Sequence, residues 1–118
     1  MTGPETILTR AGVDVKTGLA NMMDDPAFYR TGLEIFLDTN RTRVPELRNA
    51  AGIDWERYTI LAHSLKTDCR TLGFTQLGEL AYGQELAGRR QNSDELPKLL
   101  AELKNLETAL NAYLQKKK

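Results

Sequence analysis

The leucines at 96, 99, 100, 103, 106 and 110, followed by Tyr113 and Leu114, recur at three and four residues. That spacing lines side chains along one face of an α-helix. One amphipathic helix cannot bury such a stripe by itself, so the pattern demands helix packed on helix. Three earlier segments repeat it. Tyr29, Leu33, Phe36 and Leu37 form one apolar face, Tyr58, Leu61, Ala62, Leu65, Cys69 and Leu72 a second, and Leu77, Leu80, Ala81 and Leu86 a third. No segment alternates with a period of two, so no strand is expected. The predicted fold is all-α: an antiparallel up-down four-helix bundle with a short additional N-terminal helix.

Local signals set the boundaries. Asp14 is placed to cap a short helix carrying Val15, Leu19, Met22 and Met23, which stops at Asp24-Asp25-Pro26. Asp25 and Pro26 then open a long helix, since proline is tolerated at the first helical position. Pro45 lies inside that helix, where a kink near Arg41 is expected with the helix continuing to Ala51. Gly52 ends it, Asp54 caps the next, and Gly73 suits the left-handed position after that helix. Arg89 to Asn92 form a polar turn before the last helix. The domain is therefore expected to span 14–118, with 1–13 as a loose leader.

Composition removes several classes of function. At 118 residues and 13.3 kDa the chain holds one core and no separate catalytic domain. Sixteen basic and sixteen acidic residues cancel, so no global field favours nucleic acid or a membrane. The basic end at 116–118 reads as a solvated helix terminus. One cysteine, Cys69, excludes an internal disulfide and reads as packing material. One histidine and one cysteine are too few for an ordinary zinc site, and no metal is expected. No apolar run reaches signal-peptide or membrane-span length, which points to the cytoplasm.

The histidine carries the chemistry. On a helix running from Tyr58 to Leu72, His63 lies about 160° from Leu65 at the centre of the apolar stripe, and so faces solvent. Thr59, Lys66, Thr67 and Arg70 share its side, and Ile60, one turn earlier, places an apolar side chain beside the imidazole. Geometry alone leaves an ordinary solvated histidine as an equal reading. Lys66 and Arg70 supply positive charge where an anion attached to the ring would lie.

The run Ala62-His63-Ser64-Leu65-Lys66, followed by Leu72-Gly73 and then Leu77, Leu80, Ala81 and Glu85, resembles the signature of histidine-containing phosphotransfer (HPt) domains. The glycine that usually follows the lysine is Thr67 here. The resemblance implies that His63 accepts a phosphoryl group through Nε2 from the aspartate of a response-regulator receiver domain and passes it to another receiver. Lys66 is then expected to stabilise the phosphoryl group, with electrostatic support from Arg70. Receiver domains, a hybrid sensor histidine kinase, or both are the implied partners, and Mg²⁺ is supplied by the receiver rather than by this chain.

The partner surface is expected at Ile60, Ser64 and Thr67, with Phe74 and Gln84 from the following helix. Phe74 reads equally as a core residue at the helix junction. Thr67 either crowds the incoming group or donates a hydrogen bond to it. A docking module that carries no phosphate is the alternative function. Autonomous kinase activity is not expected, since no Gly-rich nucleotide motif is present. A hydrolytic triad lacks a carboxylate locally spaced to orient His63, since Asp68 points well away. A monomer is the expected state.

Overall fold

The computed structural model describes residues 5–116 and, among them, contains only α-helices. Two are short, α1 (Glu5–Arg10) and α2 (Val15–Asn21). Four are long: α3 (Pro26–Ala50), α4 (Trp55–Leu72), α5 (Thr75–Arg89) and α6 (Leu96–Lys116). Cross-helix contacts give the directions. Tyr29 reaches Leu72 and Glu46 reaches Arg57 between α3 and α4, while Thr59 lies against Gly88 and Arg70 against Gly78 between α4 and α5. Arg30 near the start of α3 donates to the carbonyl of Leu114 near the end of α6. Neighbours therefore run antiparallel, as the spacing requires.

The caps form where the sequence places them. The side chain of Asp14 accepts from the Thr17 N–H, that of Asp25 from Ala27 and Phe28, and that of Asp54 from Arg57. Pro45 does not interrupt α3, which runs on to Ala50. The α2 helix ends at Asn21, and Met23 and Asp24 take left-handed backbone angles that turn the chain into α3. Met23 consequently points outward and is exposed.

The C-terminus of α4 is tied down on every side. The Thr71 carbonyl accepts from Asn21 Nδ2 at 3.0 Å, that of Leu72 from the Tyr29 hydroxyl at 2.9 Å, and that of Gly73 from the Asp14 N–H at 2.8 Å. Helix ends leave carbonyls without intrahelical partners, and here α2 and α3 provide them. Gly73 has φ +90°, and a Cβ there would run into the Asp14 carbonyl oxygen. Between the helices, Phe36 and Phe74 meet edge to face with centroids 5.0 Å apart, and Tyr29, Tyr58 and Tyr113 are fully buried. Cys69 is buried in this core, and burial pushes its thiol up to about 12.

The loose leader expected over 1–13 is corrected from residue 5 onward; the first four residues lie outside those described, as do the side chains of the basic end at 116–118. The α1 helix packs against α6 with Leu8 entirely buried, and Val13 closes behind it through a bond from its N–H to the Leu8 carbonyl. Six residues are too few to declare a periodicity, so only burial reveals this helix. Leu8→Ala is expected to lower stability by about 2–5 kcal/mol, measured by denaturant unfolding. A loose leader would leave the midpoint unchanged.

Candidate functional site

The site depends on how closely α5 lies on α4. Small residues face the contact: Gly78 opposes the Cβ of Cys69 and the stem of Arg70, Ala81 is fully buried, and Gly88 sits on Tyr58 and Thr59. A Cβ at Gly88 would collide with the Thr59 hydroxyl and lie 3.0 Å from the Tyr58 ring. The pair therefore closes to backbone distance. Glu85, one turn before Arg89, is thereby delivered to the base of His63.

His63 is 58% exposed, and its Nδ1 lies 3.0 Å from Glu85 Oε2. Glu85 is only 5% exposed, and two further cations reach it: Lys66 Nζ at 2.8 Å from Oε1 and Arg89 Nη2 at 3.1 Å from Oε2. Burial raises the Glu85 pKa, but the hydrogen bonds and charges of Lys66 and His63 outweigh burial and hold the carboxyl below its ordinary value. An ionised carboxylate only accepts hydrogen bonds, so the proton on the imidazole must be on Nδ1. In the neutral ring Nε2 then carries the lone pair, and it has no hydrogen-bond partner among the described residues.

The residues expected around His63 divide into two groups. Ile60, three residues before His63, is 58% exposed, and Ser64 and Thr67 are also exposed. Thr67 donates its hydroxyl hydrogen to the backbone carbonyl of His63 at 3.1 Å, which commits the group to its own helix. Ser64 accepts from Arg43 Nη1 at 3.0 Å, and the same nitrogen reaches Asp68 Oδ2 at 2.8 Å. Arg43 is buried and bonded to Asn40 as well, so a polar strap from α3 holds the back of the histidine helix.

The expected partner surface needs correction: Phe74 takes the core place that was its equal reading, buried against Phe36 where it fills the junction between α4 and α5. Gln84 is 3% exposed and accepts a hydrogen bond from the buried Tyr58 hydroxyl, so it is core as well. Lys66 turns inward, 12% exposed, with its ammonium on Glu85 instead of over the ring. Arg70, about 10 Å further along the helix, leans over the Tyr82 ring at 5.4 Å and toward Glu79 at 3.7 Å.

Sequence reasoning assigned no site role to Tyr82 or Arg43, and recorded Glu85 without seeing its contact with the histidine. A usable signal was present. In an antiparallel hairpin, residues equidistant from the turn face each other, and His63 and Glu85 each lie eleven residues from Phe74. Lys66 and Tyr82 are each eight away, and Arg70 and Gly78 each four.

The family model described as Hpt domain matches residues 32–113, from the second turn of α3 almost to the end of α6. No match was found among curated proteins or among solved structures. The match covers most of the chain and includes both helices that build the histidine site. A helical bundle carrying one exposed histidine, oriented by a buried carboxylate, thus belongs to the Hpt domain family, the phosphotransfer modules of two-component systems.

Proposed function

We propose that the protein is a phosphocarrier of a phosphorelay: His63 takes a phosphoryl group from the aspartate of one receiver domain and delivers it to another. The observation that carries this reading is the contact of His63 Nδ1 with Glu85, which leaves Nε2 as the nucleophile on an exposed helix face. In the forward step the Nε2 lone pair attacks phosphorus. The bond from phosphorus to the aspartyl oxygen breaks, and that oxygen leaves with the electron pair. The Nδ1 proton stays in place. The positive charge gained by the ring faces the Glu85 carboxylate, so the adduct forms without a proton having to depart.

The other residues serve this step in different ways. Lys66 neutralises Glu85 and keeps it ionised, a change from the direct phosphoryl contact expected of it. Arg89 is 63% exposed and provides positive charge at the rim, where the phosphoryl oxygens arrive. Ile60, Ser64 and Thr67 frame the approach of the receiver. The receiver's acidic pocket brings the Mg²⁺, and no step asks this chain to hold a metal. A transient contact of this type buries below or near about 1,200 Å², so association is weak and a monomer suffices. An upstream hybrid sensor kinase supplies the receiver that donates the group.

Incubation with a phosphorylated receiver domain tests the reading. The expected result is acid-labile, alkali-stable label on the wild type and none on His63→Ala. Label absent from the wild type with several receivers would favour a docking module that carries no phosphate.

Glu85→Gln is expected to slow transfer about ten- to a hundredfold, the worth of a hydrogen bond to a charged group. Because the folded protein holds the Glu85 carboxyl below its ordinary 4.5, the stability from its ionised form is present above that pH. It is lost as the pH falls through the lower folded value. The stability advantage of wild type over Glu85→Gln should therefore shrink on acidification, read by denaturant titrations along a pH series. An advantage that grows toward acid would contradict this linkage.

With its hydroxyl bonded to the His63 carbonyl, Thr67 offers an approaching partner bulk rather than a hydrogen-bond donor. Thr67→Gly is expected to raise the transfer rate while costing about half a kcal/mol of helix stability. Equal rates in stopped-flow transfer would show that the threonine does not crowd the site.

A further inference from the structure

Tyr82 stands on α5 directly over the ion pair that holds Glu85, and neither the family match nor the transfer step assigns it a role. Its ring centroid lies 5.2 Å from Lys66 Nζ and 5.4 Å from the Arg70 guanidinium carbon, so two cations from successive turns of α4 cover one aromatic ring. Tyr82 is 39% exposed and lies outside the apolar cluster of the core. The Tyr82 hydroxyl makes no hydrogen bond among the described residues. What the residue contributes there is its ring face, where negative π density attracts a cation.

The consequence runs through Lys66 to the histidine. Glu85 Oε1 is buried, and its neutralising contact among the described residues is the Lys66 ammonium at 2.8 Å. Lys66 ends a flexible four-carbon stem and would gain rotamer freedom by swinging into water. If it did, a buried carboxylate oxygen would lose its countercharge beside His63, and the carboxylate would rotate or shift toward solvent. Contact with Nδ1 would then loosen. With the Tyr82 ring centroid 5.2 Å from its Nζ, Lys66 would give up a cation–π contact by leaving.

We propose that Tyr82 is a positioning residue of the phosphotransfer site: it pins Lys66 on Glu85, and through Glu85 keeps the His63 proton on Nδ1 with Nε2 open. The kinetic part of this proposal rests on the phosphoacceptor reading above, whereas the tautomer part does not. Arg70 shares the ring but also reaches Glu79, so it steadies the far side of Tyr82 rather than the carboxylate.

The experiment compares Tyr82→Leu and Tyr82→Phe with wild type by long-range ¹⁵N–¹H NMR of the imidazole at mildly alkaline pH, together with transfer rates from a phosphorylated receiver. Wild type and Tyr82→Phe are expected to show one tautomer with the proton on Nδ1. Tyr82→Leu is expected to show a mixture of tautomers and a transfer rate lower by about two- to fivefold, the factor that a partly exposed cation–π contact is worth.

Lys66→Met reads the same linkage from α4 and must give the mixture by itself, which keeps the test decisive should Tyr82→Leu fold poorly. Adding Tyr82→Leu to Lys66→Met should change nothing further. A single Nδ1–H tautomer in Tyr82→Leu or in Lys66→Met, or an undiminished effect of Tyr82→Leu in the Lys66→Met background, would overturn the proposal. A tautomer shift as expected in a protein that takes no phosphoryl group would uphold the positioning role and reject the phosphoacceptor reading.

Discussion

A buried carboxylate must be neutralised, and the way Glu85 meets that demand organises the functional face of this protein. Stripping water from a charged group costs several kcal/mol unless opposite charge and hydrogen bonds replace it. Lys66, His63 and Arg89 replace it here, two from α4 and one from the next turn of α5. The same arrangement dictates which imidazole nitrogen holds the proton. Electrostatic satisfaction of one side chain and, in the proposed function, preparation of another as a nucleophile are thus a single interaction.

That interaction depends on the close approach of two helices. Gly78, Ala81 and Gly88 carry little or no side chain where α5 crosses α4, and at Gly88 the approach leaves no room for a Cβ. The register is set at the turn, where Gly73 takes a left-handed angle and α2 and α3 occupy the terminal carbonyls of α4. On the far side, Arg43 ties Ser64 and Asp68 back to α3. The histidine helix is therefore held from both flanks and at its end, while its outer face stays open to a partner.

Most of the architecture was legible before any coordinates. Three-four periodicity gave the four long helices, and Asp14, Asp25, Asp54 and Gly73 marked their ends, because caps and left-handed turns are local events decided by a few residues. The exposed histidine was legible for the same reason, since a helical wheel needs only spacing. What failed depended on contacts between helices. Phe74 and Gln84 look available on a wheel and are buried by neighbours. Lys66 shares the histidine's face, yet its long stem carries the charge inward to a carboxylate nineteen positions away in sequence. α1 escaped because Glu5–Arg10 is too short to show a period, although Leu8 is wholly buried. Counting outward from the turn at Phe74 would have recovered the Glu85 and Tyr82 pairings.

The central claim is that Glu85 holds the proton on Nδ1 and so makes Nε2 the atom that carries the phosphoryl group. Its most direct test is ³¹P and ¹⁵N NMR of the ring-labelled protein after phosphorylation by a receiver domain, which reports the nitrogen bonded to phosphorus. The account predicts phosphorus on Nε2 of His63 with the proton retained on Nδ1. Phosphorus on Nδ1, or on any residue other than His63, would contradict it.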